Sequence, residues 1–331
     1  MHRPVLLDEV IGWLKPQDGA VLVDGTVGAG GHAAALARQV GPTGRVIGLD
    51  RDPAMLALAK EATAGLPVTL VHAPYSAMRE VLEERGVSSV QGVLLDLGLS
   101  SDQLAWAHRG FSFVSEGPLD MRFDPHVDPE SGSTSTGPTA AELLSSLSAD
   151  ELAQVFFDYG EERFSRRIAR RIVETRRQTP IETTRQLAEL VRQSVPGRFR
   201  HGPIDPATRV FQALRILVND ELDHLDATLK ELPEILAPGG RAAIISFHSL
   251  EDRRAKWAFR NDPGLTVLTK KPVTATTQEV AVNPQARSAK LRVAERCPNQ
   301  AGTPRPLPNP NPIPNPIPNP YPEPGPRPRR I

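Results

Sequence analysis

The sequence has one cysteine, Cys297, among 331 residues, and only 5% of its residues are aromatic. A single thiol cannot form an internal disulfide or a structural zinc site built from several thiolates. No apolar run approaches the roughly 20 residues that a membrane-spanning helix needs, and the N-terminal MHRPVLLDEV lacks the pattern of a signal peptide. We therefore expect no membrane partner and a location in the reducing cytoplasm.

Charge is balanced over the chain but segregated along it. Lys plus Arg and Asp plus Glu both number 39. Residues 1–160 hold 10 basic and 21 acidic side chains, a net charge of −11, whereas residues 161–215 hold 13 arginines and 6 acids, a net charge of +7. Residues 266–296 hold 6 basic and 2 acidic side chains, a net charge of +4. These basic blocks suit a polyanion, although an arginine-rich solvated helix explains them equally well.

Proline is concentrated at the C-terminus, where 13 of the 33 prolines fall in the last 31 residues. This segment has little apolar surface to bury, so we expect residues 297–331 to be a Pro-rich disordered tail. A second stretch rich in turn formers, residues 125–139, is predicted to be a surface loop.

Short apolar runs alternate with helical patterns in the first hundred residues, which predicts an α/β fold with a doubly wound parallel sheet. The predicted strands are Ala20–Asp24, Arg45–Asp50, Val68–His72 and Gly92–Asp96. The predicted helices between them are His32–Val40, Pro53–Ala64 and Ser76–Arg85. Asp52 is a candidate cap for the helix that begins with Pro53.

The alternation stops near Ser101, and strand character returns only at Arg241–Phe247. The helices predicted in between are Ala140–Leu147, Ala149–Tyr159, Glu161–Gln178, Thr183–Val195 and one long helix near Arg209–Leu236. Leu265–Thr269 and Lys290–Ala294 are predicted to be closing edge strands. The pattern predicts one α/β domain, residues 1–104 and 207–296, interrupted by an inserted α-helical domain, residues 105–206. We expect the inserted domain to serve substrate recognition.

A glycine-rich loop, residues 24–32 (DGTVGAGGH), directly follows the first predicted strand. Glycines let the backbone turn sharply, and the following helix presents its N-terminus to a ligand. Asp50 ends the next strand, where a carboxylate can accept hydrogen bonds from a ribose diol. The pair predicts a nucleotide cofactor without choosing it, because Gly28, Gly30 and Ala33 also satisfy the relaxed pattern of NAD enzymes.

Three carboxylates end predicted strands, namely Asp24, Asp50 and Asp96. The carboxyl ends of parallel strands share one edge of a sheet, so these side chains are expected to meet on one rim. One such residue is as often a helix cap as a ligand, but three together favour a binding site.

Several sequence blocks resemble the RsmH/MraW family of methyltransferases. They are the glycine loop, MHRPVLL (1–7), DLGLSSDQ (96–103), RGFSF (109–113), GPLDMR (117–122), FQALR (211–215), ISFHSLEDR (245–253) and NPQARSAKLR (283–292). The resemblance covers residues 1–296 and implies a Rossmann-like class I fold with an inserted helical domain. It also implies N4-methylation of cytosine 1402 in 16S rRNA of the small ribosomal subunit, with S-adenosyl-L-methionine as methyl donor and no metal.

The resemblance also implies roles for individual residues. Its cofactor contacts fall on Gly30, Gly31, His32, Asp50, Tyr75, Asp96 and Gln103. Asp50 would hold the ribose hydroxyls and Tyr75 would stack on adenine. Asp96 is the candidate acceptor for N4–H, and Phe247, His248 and Arg287 are candidate substrate contacts. A homodimer is a further expectation, although the sequence does not determine the oligomeric state.

Two sequence features bear on the reaction. Many amino-methyltransferases carry Asp/Asn-Pro-Pro-aromatic after the fourth strand, whereas this chain has Asp96-Leu97-Gly98-Leu99, so the clamp on the base stays unassigned. C5-methylation of pyrimidines generally needs a thiolate, and the only thiol lies at the start of the predicted tail, which favours a nitrogen target. The arginines of Arg163–Arg200, with Arg287, Lys290 and Arg292, are expected to hold phosphates.

Three other functions remain open. A methyltransferase of the same fold could act on a small molecule or a protein, in which case the basic blocks are solvated faces. An NAD-dependent oxidoreductase fits the glycine loop and Asp50, but no hydride-transfer site is identifiable. A non-catalytic RNA-binding protein with a vestigial cofactor fold would bind without turnover. Binding of S-adenosylmethionine or NAD separates the methyltransferases from the dehydrogenase.

Overall fold

The computed structural model describes residues 4–125, 137–200, 202 and 204–298. The predicted tail lies outside these residues except for 297 and 298, and so do residues 126–136 of the predicted loop. No helix in the described part of the chain has the length and apolarity needed to cross a membrane.

Seven strands form one sheet in the order β3-β2-β1-β4-β5-β7-β6. They are β1 (Val21–Asp24), β2 (Arg45–Asp50), β3 (Val68–His72), β4 (Val90–Asp96), β5 (Leu236–Ser246), β6 (Leu265–Val267) and β7 (Lys290–Arg296). Strands β1 to β5 run parallel, and β6 and β7 are antiparallel to their neighbours. The predicted α/β class with a parallel sheet is confirmed.

Both faces of the sheet are covered, which explains why its strands are almost continuously apolar. Within β4, Val93 and Leu95 belong to one buried cluster, whereas Leu94 belongs to the cluster on the opposite face. In β5, Ile244 and Ile245 divide in the same way. Successive side chains of a strand point to opposite faces, so each strand contributes to two cores.

Helices fill the connections. They are α1 (Leu7–Leu14), α2 (Gly31–Val40), α3 (Pro53–Ala62), α4 (Met78–Glu84), α5 (Ser101–Ala105), α6 (Ala140–Ser146), α7 (Ala149–Asp158), α8 (Ser165–Arg176), α9 (Thr184–Ser194), α10 (Ala207–Asn219), α11 (Glu221–Ile235), α12 (Ser249–Asn261) and α13 (Thr277–Val282). The predicted cap is confirmed, because Asp52 Oδ1 accepts a hydrogen bond from the Ala54 amide at 3.0 Å and Pro53 begins α3.

The long helix predicted near Arg209–Leu236 is wrong, because the chain breaks between α10 and α11 at Asp220, whose φ is 49°. Asn219, just before the break, is buried and donates from Nδ2 to the Met121 carbonyl at 2.7 Å. Its Oδ1 accepts from the Phe123 amide at 2.8 Å. The apolar periodicity continues across the break and therefore does not reveal it. The contacts of Asn219 with the distant residues Met121 and Phe123 determine where the helix ends.

The C-terminal strands also differ from expectation. Lys290–Ala294 was predicted to be an edge strand, but β7 pairs with β5 on one side and β6 on the other. Strand β7 is therefore internal, and β6 forms this edge of the sheet. Strand β5 begins earlier than predicted, at Leu236, and its register with β4 shifts between Leu236 and Arg241.

Between β4 and β5, the described residues form helices and no strand. This agrees with the strand gap in the sequence. The division into residues 1–104, 105–206 and 207–296 stays a prediction.

The substitution Asn219→Ala is expected to lower the free energy of unfolding by about 2 kcal/mol, because it leaves the half-buried Phe123 amide and the buried Met121 carbonyl without their partner. Asn261→Ala is the matched control, since that exposed side chain makes one hydrogen bond within its own helix. The free energy of unfolding of this control should stay within about 0.5 kcal/mol of the wild-type value. Urea unfolding followed by circular dichroism measures both, and equal effects would contradict this account of the helix break.

Candidate active site

The carboxyl ends of the parallel strands open into one cleft. Its empty volume is about 1280 Å³, part of which is open solvent. The loops after β1, β2, β3, β4 and β5 all contribute lining residues, and the start of α11 adds more. A cleft at this edge is where open α/β sheets bind their ligands.

The glycine loop adopts the sharp turn expected from its composition. Gly28 and Gly30 have φ values of 52° and 87°, a region that L side chains rarely adopt. A Cβ on Gly30 would also lie 3.0 Å from Ala59 Cα in α3. Gly31 begins α2 and lines the cleft, whereas Gly30 does not line it. Gly30 therefore shapes the turn, whereas Gly28 and Gly31 border the ligand space.

Asp50 lines the cleft at the end of β2. Its Oδ2 accepts from the Gly28 amide at 2.8 Å, and its Oδ1 accepts from the Asp52 amide at 2.9 Å. Burial raises the pKa of this carboxyl to about 6. An ionised carboxylate offers about four lone-pair positions, so two remain for a ligand's hydroxyl groups.

Asp24 and Asp96 lie close together, but only Asp96 lines the cleft. Burial raises the pKa of Asp24 to about 7, and burial next to Asp24 raises the pKa of Asp96 well above its usual value. Asp24 Oδ2 and Asp96 Oδ1 have no hydrogen-bond partner among the described residues. Two of the three predicted rim carboxylates thus border the cleft, whereas Asp24 is fully buried.

His32 and Asp96 both line the cleft and lie next to each other. Its Nε2 lies 3.0 Å from the Val5 carbonyl, and a carbonyl only accepts, so Nε2 carries the proton. Burial lowers the pKa of His32 to about 4, so the ring is neutral and Nδ1 is an acceptor. Nδ1 lies 3.5 Å from Asp96 Oδ2. This pair of acceptors suits a ligand that brings a donor or a positive charge.

Gln103 lines the cleft and is held by a buried network that sequence reasoning missed. Its Nε2 donates to Asp52 Oδ2 at 2.9 Å, and Arg109 Nη1 pairs with the same oxygen at 2.9 Å. Arg109 Nη2 also donates to the Phe123 carbonyl at 2.9 Å. The sequence showed Asp52 as a cap and Arg109 within a family block, but no spacing signal pairs them.

Tyr75 lines the cleft, and its hydroxyl donates to the Glu221 carbonyl at 3.1 Å. Burial raises its pKa above the usual value, so the phenol stays neutral. Glu221 is paired with Arg215 at 2.7 and 2.8 Å, and His224 lies edge-on to the Tyr75 ring. These partners stand on either side of the unpredicted helix break, which is why sequence reasoning missed them.

Phe247 lines the cleft beside Gly98, where a Cβ would lie 3.4 Å from the Phe247 ring. The Phe247 amide donates to Glu251 Oε2 at 2.8 Å. His248 does not line the cleft, and its Nε2 lies 3.0 Å from Glu251 Oε1. A His248, Glu221 and Glu251 cluster has metal-ligand types, but its carboxylates are already paired with arginine and histidine.

Of the basic residues predicted to hold phosphates, some are exposed and one is buried in an ion pair. Arg287 is exposed and does not line the cleft, although Gln285 in the same turn does. Arg292 is buried and donates to Asp252 Oδ1 at 2.6 Å, so the expectation that it holds phosphate is corrected. Cys297 follows β7 and lies 3.3 Å from Thr266 Oγ1, at the edge of the sheet opposite the cleft.

The chain matches known proteins over most of its length. Residues 1–297 match the model of the MraW methylase family. The ribosomal RNA small subunit methyltransferase H of Syntrophotalea carbinolica is 48% identical over 315 residues, covering 89% of this chain and 98% of that protein. The enzyme of that name from Magnetococcus marinus is 48% identical over 318 residues, with coverages of 89% and 98%.

Among solved structures, an rRNA methylase from Streptococcus thermophilus covers 90% of this chain and 99% of its own, at 10% identity and a TM-score of 0.41. The family match extends over nearly all the described residues, and the two sequence relatives are covered almost completely. The chain, with its Rossmann-like methyltransferase fold, therefore belongs to the MraW methylase family.

Proposed function

We propose that this protein transfers a methyl group from S-adenosylmethionine to N4 of cytosine 1402 in 16S rRNA, on small ribosomal subunits in the cytoplasm. Its membership of a methylase family supports the reaction class, and the names of its relatives support the substrate class. The observation that carries the proposal is the cleft that the glycine loop, Asp50 and Asp96 border together.

The polar groups of the cleft fit S-adenosylmethionine better than NAD. Asp50 has acceptor positions left for ribose hydroxyls, and Tyr75 offers an aromatic surface for adenine. His32 and Asp96 present acceptors that suit an ammonium or sulfonium group. The pyrophosphate of NAD is anionic, so the carboxylates of this rim would repel it.

The residues at the end of β4 also suit methylation of an amine. S-adenosylmethionine supplies a methyl group already activated by the sulfonium. Because the lone pair of cytosine N4 is delocalised into the ring, Asp96 would accept a hydrogen bond from N4–H and take its proton as the new C–N bond forms and the S–C bond breaks. Burial next to Asp24 raises the pKa of Asp96, so its ionised form is a stronger base than an ordinary carboxylate.

Phe247 supplies an aromatic ring that the segment after β4 lacks. The ring packs beside Gly98, where a Cβ would lie 3.4 Å from it, at ordinary van der Waals distance. We therefore assign Phe247 as the stacking surface for the target base. The only thiol of the chain lies away from the cleft, which argues against a covalent C5 mechanism.

The reaction is tested with small ribosomal subunits from cells that lack this methyltransferase. They are incubated with the purified protein and isotopically labelled S-adenosylmethionine, and the modified nucleoside is identified by mass spectrometry. We expect labelled N4-methylcytidine, mapped to position 1402. Cofactor binding without any label on RNA would contradict the rRNA substrate and favour a small molecule or a protein.

The substitution Asp96→Ala is expected to lower kcat by about 100-fold or more, because it removes the acceptor for the N4 proton. The affinity for S-adenosylmethionine should fall by a smaller factor. Asp102→Asn, at another carboxylate that lines the cleft, is the control and should keep kcat within about twofold. Equal losses in the two variants would contradict the role of Asp96.

The affinity for S-adenosylmethionine is expected to fall as pH decreases through about 6, the pKa of Asp50 in the free protein. Below that pH the carboxyl is protonated, and a neutral carboxyl accepts weaker hydrogen bonds from ribose hydroxyls. The dissociation constant should rise by up to about tenfold per pH unit. Calorimetry from pH 5 to 8 measures this dissociation constant. In Asp50→Asn, the change in the dissociation constant near pH 6 should disappear. If that variant keeps the pH dependence of the wild type, another group causes it.

A further inference from the structure

Two arginines and two phenylalanines from separate segments form a surface cluster, Arg163, Phe164, Arg198 and Phe199, which we name the Arg–Phe platform. The two ring centroids are 5.3 Å apart. The guanidinium carbon of Arg163 lies 3.7 Å from the centroid of the Phe199 ring and 4.8 Å from that of Phe164. The Arg198 guanidinium carbon lies 4.8 Å from the Phe199 centroid.

The charges of the platform are not neutralised. Both arginines are exposed, and neither makes an ion pair or a hydrogen bond with another described residue. The acids nearest in sequence are engaged elsewhere. Glu162 is buried and accepts from the Phe164 amide at 2.8 Å, and Glu161 pairs with Arg253 at 3.0 Å.

The positive surface continues along α8. Arg166, Arg167 and Arg170 are exposed and form no ion pair within the described part of the chain. The helix has its buried residues, Ile168 and Ile172 among them, on the other side. Proteins that bind single-stranded nucleic acids combine unpaired arginines with aromatic rings, because bases stack on the rings and the arginines contact phosphates.

The platform is connected to the cleft by one set of contacts. Glu161, two residues before Arg163, accepts hydrogen bonds from Ser249 Oγ and Arg253 Nη2 at the start of α12. Phe247 and Glu251, from the same stretch of chain, line the cleft. A strand whose target base enters the cleft beside Phe247 would therefore pass near the platform.

We propose that the Arg–Phe platform binds single-stranded RNA next to the target cytosine, with one unpaired neighbouring base stacked on the Phe199 ring or on the plane of the Arg163 guanidinium. Arg198 and the exposed arginines of α8 contact the adjacent phosphates. A duplex keeps its base faces covered, so this contact selects an unpaired strand. The inference rests on the proposed function and adds which part of the RNA is held, and by which residues.

The test uses the full-length protein and a fluorescently labelled 15-nucleotide single-stranded RNA with one central cytosine. Phe199→Leu and Arg163→Gln should each raise the dissociation constant by about tenfold. With small ribosomal subunits, both should raise KM and leave kcat and the affinity for S-adenosylmethionine unchanged. Arg38→Gln is the charge-matched control, because Arg38 is an exposed arginine near the end of α2, and it should bind like the wild type.

A second RNA separates stacking from charge. Removing the bases that flank the cytosine, with the backbone intact, should weaken binding to the wild type, and Phe199→Leu should then weaken it no further. If both platform variants bind the intact RNA as tightly as Arg38→Gln, the proposal is overturned and the cluster only anchors the turn 197–199 to α8. The same conclusion follows if duplex RNA of this sequence binds as tightly as the single strand.

If Phe199→Leu lowers the melting temperature or the cofactor affinity, Arg198→Gln is used instead. The Arg198 side chain is exposed, so its replacement should not disturb the fold. It should reduce the slope of log affinity against log salt by about 0.7, the value for one phosphate contact on a single strand. An unchanged slope overturns the proposal. Absence of RNA methylation by the wild type would count against the proposed function instead, while the binding series still decides the role of the platform.

Discussion

The buried carboxylate of Asp52 is the contact on which the walls of the cleft depend. It caps α3, accepts from Gln103 in α5 and pairs with Arg109 beyond it. Asp52 is 1% exposed and Arg109 is 6% exposed, so each charge is stabilised by the other rather than by water. Loss of one partner of such a pair typically costs about 3–5 kcal/mol. Three segments around the cleft therefore hold their positions through one group.

A second constraint is electrostatic. Asp24, Asp50 and Asp96 are brought together at the ends of neighbouring strands, and burial raises the pKa of each. The folded protein thus keeps protons that the unfolded chain would release. The contribution of these three groups to the free energy of unfolding consequently falls as pH rises from about 4 to about 7. A cationic ligand in the cleft would offset this repulsion, which links ligand binding to the stability of the rim.

Much of this arrangement could be predicted from the sequence. The first four strands, the capped start of α3 and the helices between 140 and 195 follow from apolar periodicity and local capping chemistry. Several residues suggested by the family resemblance line the cleft together, including Gly31, His32 and Tyr75. Gly31 and His32 follow the turn after β1, and Tyr75 follows β3. The family resemblance, rather than periodicity, pointed to them as cofactor contacts.

The polar partners could not be predicted in the same way. Gln103 and Asp52 are 51 residues apart, and Arg215 meets Glu221 only because the chain breaks between α10 and α11. Periodicity reports which face of an element is buried, but it does not report which distant polar group completes a buried hydrogen bond. The Arg–Phe platform could not be predicted either, since its residues come from separate segments.

The sequence by itself determined the α/β class, the nucleotide-type glycine loop and the strand-end carboxylates, because each depends on neighbouring residues and on the geometry common to parallel sheets. The tertiary structure decided which carboxylates border the cleft, where the long helix breaks and which arginines stay free for a partner. Those outcomes depend on burial and on the pairing of groups distant in the chain, and the free energy of a buried charge is set by its surroundings rather than by its position in the sequence.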